Sequence, residues 1–174
     1  MKRNGIAAFA AAWLALASAA GAQAATPCLA PQEADALFTA IAPEAIRSVA
    51  RTCAPVLPPP GLLGGRSEAM AAKFEARAAS TLPLAEKAIA KITGNELPDP
   101  TLLQPLIKTL AGPMIASNVK PESCGQIDLA LGLVEPLPAE NLTGLLVLLM
   151  QLSGNKEMPK DFNLCRATKV AAGH

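Results

Sequence analysis

Over residues 31–53, apolar Leu37, Ile41, Ile46, Val49 and Ala50 are interleaved at helical spacing with Glu33, Asp35, Glu44, Arg47 and Arg51. Pro43 lies in the middle of this amphipathic stretch and lacks the N–H that an internal helical turn requires. The pattern therefore predicts two short antiparallel helices turning near Ala42-Pro43. Met70, Phe74 and Ala78 recur every fourth residue behind Ser67, a good N-cap, and predict a helix from 67 to about 80. The next is predicted over 83–93, with Leu84, Ala88, Ile89 and Ile92 inward and Gly94-Asn95 as its stop. Another follows Asp99 as cap and Pro100 in the first turn, carrying Leu102, Leu103, Leu106, Ile107 and Leu110 to Gly112-Pro113. Pro105 is expected to kink it or delay its start.

The last two predicted helices, 122–135 and 138–153, are joined by Pro136-Leu137 and stopped by Gly154-Asn155, which reads as an antiparallel hairpin. Leu145-Leu146-Val147-Leu148-Leu149-Met150 is apolar on every face, predicting a central helix with neighbours all round. Residues 54–66 hold Pro55, Pro58-Pro59-Pro60, Gly61 and Gly64-Gly65 and read as an extended connector. One proline run of this length points to a connector more than to a docking ligand. The tail beyond Lys156 is expected to pack through Phe162 and Leu164.

With sixteen prolines, no tyrosine and little strand-like alternation, the fold class is all-α. We expect a compact bundle of about six short helices with Pro-rich connections, tied by two disulfides, after an N-terminal signal peptide. Lys2 and Arg3 precede the apolar run Ile6 to Ala20, and Ala22-Gln23-Ala24 offers small residues where a signal peptidase reads. The run is about 15 residues, short of the roughly 20 a membrane-spanning helix needs, so cleavage after Ala24 is expected. Cys28 follows Pro27 rather than a small residue, so no lipid anchor is expected. The mature chain, 25–174, is read as one helical domain, with a disulfide hairpin over 25–53, a linker over 54–66 and a helical core over 67–174. It should be periplasmic or extracellular, soluble, and without a transmembrane segment once the leader is removed.

Export changes the meaning of Cys28, Cys53, Cys124 and Cys165, because thiols pair in an oxidising compartment. A straight helix would hold Cys28 and Cys53 roughly 35 Å apart, against the ~6 Å a disulfide spans. With the expected break at Pro43, Cys28–Cys53 closes the first hairpin, and Cys124–Cys165 ties the tail to the last one. The cysteines are too widely spaced for a zinc knuckle, and there is neither a Cys-x-x-Cys redox motif nor a haem attachment motif. No metal and no cofactor are expected.

Once Lys2 and Arg3 leave with the leader, 13 basic residues face 14 acidic ones and the net charge is about −1. The basic residues are scattered, which excludes the cluster that nucleic acid or an anionic membrane requires. The only histidine is His174, at the end of the chain, so no triad or imidazole acid–base pair is available. The carboxylate pairs Glu33 with Asp35 and Glu96 with Asp99 are read as surface acids and a helix cap. Ser67, Ser80, Ser117, Ser123 and Ser153 sit at predicted helix ends, where capping accounts for them. The chemistry that remains is that of a small exported binding or interaction protein without catalytic activity, meeting an unknown protein partner. The alternative is a carrier of a lipid or other apolar ligand in a cavity between helices. Oligomeric state is open, since a sequence does not show whether an apolar face is covered by its own core or by a partner.

Overall fold

In a computed structural model, the residues described are 28–95, 99–153 and 162–165. The leader over 1–24, Glu96, Gly154-Asn155, Lys156 and His174 lie outside them. Five helices, rather than the six short ones expected, account for most of the described chain. Helix α1 spans Pro31–Cys53, and α2 spans Ser67–Thr93 behind a π turn over Leu62–Arg66. Helix α3 is composite over 100–118, running as a 3₁₀ turn (Pro100–Leu102), an α turn (Leu103–Leu106), a π turn (Ile107–Ala111) and an α segment (Gly112–Asn118). Helix α4 is Cys124–Val134 and α5 is Ala139–Ser153.

Two expected breaks are absent. Pro43 lies inside α1 and Pro83 inside α2, and both helices run on. Each proline removes one internal hydrogen bond, at a cost of about 3 kcal/mol. The two helices offset this by packing antiparallel along their whole length, from Arg47 beside Glu68 at one end to Glu33 beside Lys91 at the other. The 67–80 and 83–93 segments are thus one helix, ended as expected at Gly94, whose φ of 71° is left-handed. In α3 the cap is as read, with Asp99 Oδ1 accepting from the N–H and hydroxyl of Thr101 at 2.9 and 2.8 Å. The helix nevertheless passes through Gly112-Pro113, and the π turn lies in the stretch whose carbonyls Pro113 cannot serve.

Continuity of α1 overturns the expected cysteine pairing. An unbroken helix keeps Cys28 and Cys53 apart, and each finds another partner. Cys53 bonds Cys124 with a Cα separation of 5.5 Å, fixing the end of α1 to the start of α4. Cys28 bonds Cys165 at 4.9 Å, beside a parallel bridge in which Leu29 N–H donates to Asn163 O and Cys165 N–H to Leu29 O. The pairs Cys28–Cys53 and Cys124–Cys165 do not form, and 25–53 is not a disulfide hairpin. The tail packs through Phe162, whose ring lies 5.7 Å from that of Phe38, and through buried Leu164. The 54–66 segment is also more than a connector: Leu62 and Leu63 are buried and its end is helical.

Helices α1 and α2 form the middle layer. Ala36 and Ala85 meet Leu103 and Ile107 of α3 on one side. Positions about 200° round α1 from Ala36, such as Phe38, face the other side, where α4 and α5 pack through Cys124, Ala139 and Val147. The last two helices do not form the expected hairpin: the chain direction changes by 119° between them, leaving a V. Nor is α5 central, since Leu145, Leu146, Leu148 and Leu149 are 43–53% exposed and of that run only Val147 is buried. Among the described residues no single helix is long and apolar enough to cross a membrane.

Candidate functional site

The V opens because both its arms and its apex are pinned to the middle layer. Cys53–Cys124 holds the start of α4, and the Asp128 carboxylate accepts a hydrogen bond from Leu63 N–H at 2.7 Å. At the apex, Arg66 pairs with Glu135 at 2.5 Å, Lys73 donates to the Glu135 carbonyl, and Arg77 approaches Glu140 at 3.6 Å. On the α5 arm the Thr143 hydroxyl bonds Asp35, whose other oxygen takes Arg77 at 2.6 Å. With the arms held apart, the middle of α1 becomes the floor of a groove.

That groove has a volume of about 260 Å³. Its floor is Phe38, Ile41, Ala42, Ala45 and Ile46 of α1 with Met70 and Phe74 of α2. Leu131 and Val134 wall it on the α4 side, and Leu142, Thr143 and Leu146 on the α5 side. Ala42 and Ala45 give it depth, since neither carries a side chain beyond Cβ. No charged residue lines it, and its one hydroxyl, on Thr143, donates its single proton to the Asp35 carboxylate. The lining therefore offers van der Waals contact and exclusion of water, with no group placed to activate a nucleophile or hold an ion.

No known protein family, characterised protein or solved structure matches this chain.

A second concavity, about 220 Å³, lies on the α3 side and is charged, with Glu44, Arg47, Glu75 and Lys108 in its wall. Three of these charges are held in ion pairs. Arg47 bonds Glu75 at 2.7 Å and Glu68 at 3.0 Å, while Glu44 pairs with Arg51 at 2.6 Å. The hydrogen bond from Arg47 holds the Glu75 carboxyl below its ordinary range against a smaller opposing effect of burial, and the same bond raises the Arg47 guanidinium. This is the arrangement of an ion-pair network joining helices.

The candidate catalytic residues are not brought together. Glu33 accepts from Ala30 N–H at 2.8 Å and Lys91 at 2.7 Å, whereas Asp35 serves Arg77 and Thr143. Ser80, Ser117, Ser123 and Ser153 each donate to the carbonyl three residues back. The four cysteines are in disulfides, and among the described residues no three His, Cys, Asp or Glu gather as a metal site. The groove residues escaped the sequence reading because Ile41 and Ile46 look like ordinary core positions of an amphipathic helix. The one signal that pointed to them is the surplus of leucine on α5, more than one buried stripe can use.

Proposed function

We propose that the chain is an exported, non-catalytic binding protein that seats an apolar part of a partner in the groove between α4 and α5. The observation that carries this reading is the lining itself: an open, pre-formed concavity walled by apolar side chains, with its one hydroxyl already satisfied. Such a groove takes apolar side chains from an amphipathic partner segment, and the depth left by Ala42 and Ala45 sets what fits. The same lining favours a second reading, carriage of a lipid-like hydrocarbon chain, because nothing in it demands a polar group from the guest. Cysteines joined in disulfides support export, which in turn implies a cleaved leader ending at Ala24.

The test is a titration of the detergent-free mature protein with 1-anilinonaphthalene-8-sulfonate, followed by its emission shift. Saturable binding is expected, weakened about tenfold or more by Ala42→Trp, which fills the floor, and unchanged by Leu106→Ser on α3. Equal loss in both variants, or no saturable signal, overturns the reading. Native mass spectra of the same sample separate the guests: a lipid-sized adduct lost on denaturation marks a carrier, and a stoichiometric protein marks an interaction module. A mass beginning at Ala25 and lower by about four hydrogens checks export and both disulfides.

A further inference from the structure

Beyond the groove, α5 presents an outward face that none of the described residues covers. Leu145, Leu149 and Leu152 follow a four-three spacing, the seam along which one helix packs on another, and Leu148 flanks it. Leu145, Leu148, Leu149 and Leu152 are 43, 49, 53 and 75% exposed, while the opposite side of α5 is buried at Ala139, Thr143 and Val147. With Leu146 at the groove edge, these residues expose on the order of 450 Å², within the roughly 300–600 Å² of the largest patch on an ordinary monomer, a patch that is often functional. From this we infer that the α5 seam is a self-association surface, on which a second copy of the chain lays its own α5 antiparallel about a two-fold axis.

Charge disfavours a lipid surface and permits a second copy, and area allows a weak contact with one. No lysine or arginine occurs from 121 to 153, so the face has nothing to draw it to an anionic lipid surface. The three carboxylates of the α4–α5 segment, Asp128, Glu135 and Glu140, are directed to Leu63 N–H, Arg66 and Arg77 in the chain's own middle layer. From 141 to 153 the helix carries no charge at all, so two copies of the seam meet without like-charge repulsion. Two such faces offer on the order of 900 Å², close to the roughly 1,000 Å² floor of a specific interface, the size of a weak, reversible contact. The contact is isologous and closes on itself at two copies.

Sedimentation velocity of the disulfide-bonded mature protein from about 1 to 100 μM tests this. A reversible dimer is expected. Leu149→Glu should weaken it about 50-fold or more with unchanged helical circular dichroism, and Leu110→Glu, on the exposed edge of α3, should leave it intact. If Leu149→Glu loses helix, Leu152→Ser near the helix end replaces it, with a weakening of about tenfold expected. A monomer throughout this range overturns the inference, whether bare or carrying a lipid-mass adduct in native spectra. So does a dimer that survives the α5 substitutions and is broken by Leu110→Glu. The groove reading stands or falls separately, on the dye titration with Ala42→Trp.

Discussion

At the scale of single residues, Glu33 shows how one side chain serves two ends of the fold. It closes the first turn of α1 through Ala30 N–H and clasps Lys91 near the end of α2. Burial pushes its carboxyl up, but the bonds from Lys91 and Ala30 outweigh this together, and the group sits below its ordinary value of 4.5. A depressed carboxylate stabilises the fold above its unfolded pKa, and that contribution is lost as pH falls through the lower folded value. Glu33→Gln should therefore cost about 1 kcal/mol at pH 7 and flatten the fall in melting temperature below about pH 4.5. Thermal melts of both proteins from pH 7 to pH 3 check it, and parallel curves sink it. Glu33 was read from the sequence as a surface acid, but it is buried, because Lys91, 58 positions on, meets it there, which spacing along the chain does not show.

At the scale of elements, the segment over 54–66 separates composition from structure. Its prolines and glycines spell an extended connector, yet Leu62 and Leu63 are 1 and 3% exposed and join the core with Met70 and Cys124. The glycines allow the close approach: a Cβ on Gly64 would stand 2.4 Å from the Pro58 carbonyl oxygen. Leu62→Ala is expected to destabilise by about 2–5 kcal/mol, as for a buried core leucine, against under about 0.5 kcal/mol for Val56→Ala on the exposed part of the same segment. Denaturant midpoints of the two variants decide it, and similar values would restore the connector. The breaks expected in α1 and α2 failed for a related reason. Proline's local cost is fixed, but whether a helix ends there depends on what its neighbours return, and the antiparallel α1–α2 pair spans both prolines.

At the scale of the molecule, two disulfides across separations of 71 and 137 residues join parts that local structure leaves independent. Cys53–Cys124 sets one arm of the V, and Cys28–Cys165 clamps the tail against the entry to α1. Chain-entropy arithmetic gives each about 4–5 kcal/mol. Cys53→Ala with Cys124→Ala should lower stability by roughly that amount and also weaken dye binding, because the α4 wall loses its anchor. Cys28→Ala with Cys165→Ala should lower stability while leaving the groove's affinity within about twofold. Calorimetry with the dye titration checks both. Non-reduced peptide maps should show 28 linked to 165 and 53 linked to 124.

The sequence by itself determined what depends on neighbours along the chain: helical class, the caps at Asp99 and Gly94, and the buried stripe of Met70, Phe74 and Ala78. It also carried the apolar surplus of α5. Tertiary structure alone decided which cysteines pair, which prolines are tolerated, and whether the leucines of α5 face the core or the surface. The physical reason is common to all three. Periodicity states which residues share a face of a helix and how far apart they lie along it. What covers that face, and which distant residue stands beside it, is set by the packing of elements against one another.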